Sequence, residues 1–143
     1  MAELRFTRPA DDAELDLWRS IHNEIIPAGP LSLDEVRERA GRNRLELAYA
    51  GDVAVGNSTV RPPDSDGVAV VIARVLAARR GRGFGALIHD RALAAARALD
   101  PVAIETIVLA ANVDGVRFAV RHGYVETERY EVDGAGYVTL RLR

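Results

Sequence analysis

The stretch from Val68 to Gly85 limits the possible folds more than any other part of this chain. Val68 to Leu76 is a continuous apolar run, which predicts a strand buried on both faces and hence central in a sheet. Gly81-Arg82-Gly83-Phe84-Gly85 follows. Phe84 to Leu99 then reads as an Ala- and Leu-rich helix stopped by Asp100-Pro101. Glycines let a backbone approach a ligand closely and take positive φ. The start of a helix presents free N–H groups and a positive dipole end, which together favour an anion. Arg74, Arg79, Arg80 and Arg82 fall within nine residues that hold no acid, which suits a ligand with several phosphates.

Three other uses of such a loop compete. A P-loop needs Lys-Ser/Thr after its last glycine, whereas Ala86-Leu87 follows here and the chain has no lysine. Gly81-x-Gly83-x-x-Ala86 formally matches the dinucleotide pattern. That fold needs an acid about 20 positions on and several more βαβ units, and too little chain remains after Val102. Tight turning alone is the third use. The arginine cluster and the neighbouring strand weigh against it.

The remaining punctuation gives the order β-α-α-β-β-β-α-β-α-β-β. Leu4, Phe6 and Arg8 alternate as a short strand. Asp11-Asp12 opens a helix with Leu15, Trp18, Ile21 and Ile25 at helical spacing. Ser32 and Glu35 form a capping-box pattern for a second helix. Leu45–Ala50 and Val53–Val60 read as a hairpin around Gly51-Asp52. Val102 to Ala111 is a second buried strand. Asn112 caps a short helix that ends at Gly123. Val125–Val132 and Tyr137–Leu142 are strands joined by Asp133-Gly134-Ala135-Gly136. With no linker or repeat, residues 1–143 are read as one mixed α/β domain.

Composition excludes several chemistries. The net charge of -2 argues against a general nucleic-acid binder. The chain has no cysteine, so no disulfide, Cys-ligated zinc or cysteine acyl-enzyme is available. All 19 basic residues are arginine, so no lysine can form a Schiff base. His22, His89 and His122 are too scattered to suggest a metal site. The longest apolar run, Gly67 to Ala73, is far short of the roughly 20 residues of a spanning helix. With no signal-type stretch at Met1-Ala2-Glu3-Leu4-Arg5, a soluble cytoplasmic protein without a membrane partner is expected.

At Arg80-Gly81-Arg82-Gly83-Phe84-Gly85 the chain resembles the GNAT superfamily of acyl-CoA-dependent N-acyltransferases. The family's motif is Arg/Gln-x-x-Gly-x-Gly/Ala between a strand and a long helix. A second landmark is an asparagine followed by a short helix ending in Gly-Phe or Gly-Tyr, as Asn112 and Gly123-Tyr124 are here. The resemblance implies an α/β (α+β mixed) fold with a mostly antiparallel central sheet of six to seven strands, about four helices, and two splayed parallel strands. It implies transfer of an acetyl group from acetyl-CoA to a primary amine by direct attack, the acceptor being a small molecule or a peptide. Main-chain groups of Ala73 and Val75 would pair with the pantetheine arm. Arg80, Gly81, Arg82, Gly83, Phe84, Gly85 and Ala86 would cradle the pyrophosphate, and Asn112 would lie near the thiol. Homodimerisation is implied by the family alone. The family's usual tyrosine acid stands four residues before the glycine. That position is Ala119, which raises an alternative: a non-catalytic acyl-CoA sensor of the same fold.

Other polar residues admit two readings each. Glu105 interrupts an apolar strand, either as a general base for the acceptor amine or as a strand-end acid paired with arginine. Glu46 and Tyr49 are weaker versions of the first idea. His22 and Asn23 are expected on the helix surface, with an acceptor-site role as the alternative. Trp18 is expected in the core. His122 is expected as an exposed cation at a helix C-terminus. Tyr124 is expected to pack with its hydroxyl at the surface.

Overall fold

The computed structural model describes residues 3–143. The chain runs β1 (Arg5–Thr7), α1 (Asp12–Ile25), α2 (Leu33–Arg42), β2 (Arg44–Ala50), β3 (Val53–Arg61) and β4 (Val68–Val75). A short 3-10 turn, Ala77–Arg79, then leads to α3 (Phe84–Arg97), β5 (Ala103–Leu109), α4 (Val113–Arg121), β6 (Tyr124–Val132) and β7 (Ala135–Leu142). The seven strands form one sheet in the order β1-β2-β3-β4-β5-β7-β6. Every neighbouring pair is antiparallel except β4 and β5.

Local chemistry sets the helix starts. The Asp11 side chain accepts from the Glu14 N–H at 2.8 Å, and Ser32 does the same for Glu35 at 3.2 Å. Both are reciprocal capping boxes. Helices cover both faces of the sheet. On one face Leu15, Trp18 and Ile21 of α1 and Val36 of α2 pack on Leu45 and Leu47 of β2. On the other, Phe84 and Ile88 of α3 pack on Ala48 and Val55, while Ala92 and Ala96 meet Val71, Ala119, Tyr124 and Leu140.

Several boundaries differ from the sequence reading by one or two residues: β4 ends at Val75, α3 at Arg97, and β5 spans only Ala103–Leu109. The last turn changes in kind. Ala135 and Gly136 belong to β7, so the last turn is only Asp133-Gly134. Their φ values of 51° and 82° are those of a two-residue hairpin turn whose twist matches its strands. Gly56 serves a different need. A Cβ there would stand 2.1 Å from the Arg74 carbonyl oxygen, so β3 and β4 come this close only with glycine at that position.

Candidate active site

The site begins where the two parallel strands part. β4 and β5 pair only from Val68↔Ala103 to Val70↔Glu105. Beyond that, β5 continues against β7, while β4 keeps only β3. The Leu76 N–H donates to the Val55 carbonyl at 2.9 Å. By the alternation of an antiparallel ladder, Arg74 and Ile72 also bond to β3. The N–H and C=O groups of Ala73 and Val75 therefore point into the gap. A cavity of about 510 Å³ fills it, lined by Ile72–Val75, Thr106–Leu109, the turn before α3, and α4.

At one end of the cavity the turn prepares α3 for an anion. Gly81 and Gly83 have φ of 80° and 82°. Gly83 is the N-cap and offers no side chain to the first turn, which holds no acid. The free N–H groups of that turn thus stay available, at the positive end of the helix dipole. Gly85 lies against Phe118, and a Cβ there would be 3.2 Å from the ring. Of the residues expected here, Ala73, Val75, Arg80, Gly81, Gly83, Phe84, Gly85, Ala86 and Asn112 line one cavity. Arg82 does not line it. Arg80 bends back, its Nε donating to the Val75 carbonyl at 3.1 Å. Arg74 leaves the expected arginine cluster altogether. It is buried on the α1 face of the sheet, because successive strand residues alternate sides.

At the other end, α4 brings Asn112, Phe118 and Ala119 to the wall. Asn112 accepts from the Gly115 N–H at 3.0 Å, so its side-chain oxygen is engaged as the helix cap. Ala119 is buried. Around it stands a cluster that the sequence reading missed. The Tyr124 hydroxyl lies 2.8 Å from His89 Nε2, and the Phe118 and His122 rings stack 3.9 Å apart. All four residues line the cavity. His89 Nδ1 is 3.4 Å from Asp90 Oδ1. A carboxylate there favours the Nδ1–H tautomer, which leaves Nε2 to accept from Tyr124. Burial lowers the His89 pKa, with the Asp90 hydrogen bond opposing it. Burial raises the Tyr124 hydroxyl to about 12.

Two expectations need correction here. Tyr124 is 2% exposed, so its hydroxyl is in the core and not at the surface. His122 is half-buried, with Nδ1 donating to the Phe118 carbonyl at 2.9 Å. The signal available in sequence was the spacing of Phe84, Ile88, Ala92 and Ala96 along α3, which puts His89 beside the same inward stripe.

The remaining candidates resolve differently. Glu105 is held by Arg141 of β7, at 3.1 Å from Nε and 2.9 Å from Nη2, in the last residue pair before β4 and β5 part. It does not line the cavity. Glu46 lies between Arg91 and Arg44. Burial would raise its pKa, but the hydrogen bonds from those arginines hold it below the usual range. Tyr49 stacks under Arg5. Trp18 is in the core, as expected, and its Nε1 donates to the Ser58 carbonyl. His22 is 5% exposed rather than a surface residue, stacked on Trp18. Burial and the nearby Arg74 charge lower its pKa to about 4. Asn23 ties the loop after α1, accepting from the Leu31 N–H and donating to the Leu31 carbonyl. Among the described residues no helix is long and apolar enough to cross a membrane, and no His, Asp and Glu group of three or more could hold a metal.

No family model and no curated protein matches the sequence. Solved structures match its shape. Ard1 from Thermoplasma volcanium aligns at a TM-score of 0.81 and 15% identity, over 98% of each chain. Salmonella typhimurium yncA, solved with its cofactor acetyl-CoA, aligns at 0.77 and 14% identity, over 98% of this chain and 93% of its own. Arabidopsis thaliana Naa50, in complex with the bisubstrate analogue CoA-Ac-MVNAL, aligns at 0.76 and 18% identity, over 98% of each. At these identities the likeness is one of fold, and the chain adopts the GNAT fold.

Proposed function

We propose that the chain, acting as one domain, transfers an acetyl group from acetyl-CoA to a primary amine. The observation that carries this is the gap between β4 and β5, which opens directly onto the glycine-rich start of α3. One cavity thereby joins a helix N-terminus free of acid to backbone groups of β4 that no neighbouring strand pairs. In this reading the pyrophosphate sits on the N–H groups from Gly81 through Ala86. The pantetheine amides pair with the backbone of Ala73 and Val75. The acetyl-CoA seen in yncA and the bisubstrate analogue seen in Naa50 support an acyl-CoA and an amine for this chain too.

The reaction is direct. The neutral amine adds to the thioester carbonyl carbon, the C–S bond breaks, and the amide leaves with one ammonium proton lost to water. The departing thiolate takes a proton. General acid catalysis is worth roughly 10²–10⁴ in rate, and Ala119 offers none. Tyr124 is poorly suited to replace it, since its proton is directed to His89 and burial raises its pKa to about 12. We assign the thiolate's proton to water in the open cavity and the acceleration mainly to alignment of amine and thioester.

Calorimetry with acetyl-CoA tests the reading, using the native chain and an Arg80→Ala, Gly83→Val double variant. Micromolar binding that the double variant loses is expected; no binding by the native chain sinks it. Buried Ala119 favours one second reading, an acyl-CoA sensor without turnover. Thiol release above hydrolysis with any amine rules that out.

A further inference from the structure

The acetyl-transfer reading leaves one charged group at the gap unused. Arg74 lies between Ala73 and Val75 on β4, so its side chain leaves the opposite face. Ala73 and Val75 pack toward Phe84 and Ile88. The Arg74 guanidinium instead lies 5.3 Å from the centre of the Trp18 ring. The residue as a whole is 6% exposed, and Arg74 is among the residues that border the cavity, as are Ile25 and Ile26 on the same side of the sheet. Nη1 donates to Asn57 Oδ1 at 3.2 Å and to Thr59 Oγ1 at 3.1 Å. The Nε–H is buried with no acceptor.

No carboxylate among the described residues pairs with Arg74. Its charged neighbours make matters worse. After burial itself, Arg61 and Arg39 are what lower its pKa, to about 9. It stays protonated at neutral pH. Buried charges are ordinarily paired, because an isolated one forfeits its hydration without a counter-charge. The chain is acidic overall, so the missing anion is a local feature.

Resting on the acetyl-transfer reading, we infer that Arg74 receives a carboxylate of the acceptor, which is an amine bearing that carboxylate a few bonds from its nitrogen, as in an α-amino acid. The face decides against the cofactor's own phosphates. Those belong at the start of α3, across the sheet from Trp18. Adjacency sets the spacing, because Arg74 is one residue from the backbone groups that border the gap. Ile25 and Ile26, at the end of α1, line the same cavity and offer apolar surface to the rest of the acceptor.

The test follows thiol release by the full chain with acetyl-CoA. It compares the common α-amino acids with their α-amides and their decarboxylated amines. At least one amino acid is expected to exceed both analogues by roughly 10²-fold in kcat/KM, as when a buried polar group loses its partner. Arg74→Gln should erase that preference, Arg74→Lys should keep part of it, and acetyl-CoA affinity should not change in either. If amides or plain amines react as fast throughout, the inference falls and the acetyl-transfer reading stands. If acetyl-CoA neither binds nor turns over, that reading falls first. If acetyl-CoA binds without turnover, calorimetry of amino acids against their amides decides, and equal or absent binding overturns the inference. Should Arg74→Gln fail to fold, the substrate comparison on the native chain still decides.

Discussion

The Tyr124 hydroxyl and His89 Nε2 meet at 2.8 Å inside the cavity wall, although the two residues are 35 positions apart. This bond locks the start of β6 to α3, beside the position where an acid is missing. Tyr124→Phe leaves a buried imidazole nitrogen without its donor. It should destabilise the fold by about 1–3 kcal/mol, measured by urea unfolding. If the phenol is structural, kcat should change by less than about tenfold; a loss of 10² or more would make Tyr124 the acid.

Gly83 and Arg80 test the anion cradle separately. Gly83→Ala meets open space, so only its φ of 82° is at issue. The strain should cost about 1–2 kcal/mol of stability and weaken acetyl-CoA binding. Arg80→Ala should leave stability nearly unchanged. It should weaken binding by roughly tenfold at low salt and by less at high salt, where an exposed charge is screened. Titrations at two ionic strengths separate the two effects.

Glycine substitutions of opposite sign probe the sheet and a helix. Gly56→Ala drives a Cβ into the Arg74 carbonyl. It should destabilise by about 2–4 kcal/mol as β3 and β4 are forced apart. Gly41→Ala, in α2 with no atom within 4 Å, should stabilise by about 0.5–1 kcal/mol. Thermal melts of both variants suffice.

Stability should fall on mild acidification. His22 has a folded-state pKa of about 4 against an ordinary 6.5. Between those values the unfolded chain binds the proton that the folded chain refuses. Stability from this group is therefore complete above about pH 6.5 and is lost as the pH drops toward about 4, on the order of 3 kcal/mol in all. His89, also lowered, adds in the same direction. His22→Gln should flatten the acid limb of a urea-midpoint profile. An unchanged profile would mean that His22 is protonated in the fold.

The order of elements was legible because each boundary carries local chemistry: Asp11 and Ser32 as caps, Gly51-Asp52 as a hairpin turn, Gly83 and Gly123 beside helices. The glycine-rich turn proposed as the cradle was legible for the same reason, since its glycines and Arg80 lie within six consecutive residues. Contacts across the sheet were not. Nothing near His22 in sequence announces Trp18 above it and Arg74 beside it. Arg74 was grouped with Arg79 and Arg80 by proximity along the chain, although strand alternation sends it to the other face. Glu105 offered two roles, and the choice rested on Arg141, which only the β5–β7 register brings opposite it.

The short β4–β5 pairing has one more consequence. An edge strand normally lies at the margin of a sheet, yet from Val71 to Val75 this protein has one in the middle. Margins can be guarded by charge or by a covering loop, but an interior edge is shielded only by the narrowness of its slot. Whatever fills the slot in extended form completes the ladder. Amide deuterium uptake at Ala73 and Val75 should therefore be fast in the empty protein and slow when the slot is occupied, so the sheet's own cohesion reports on its cargo.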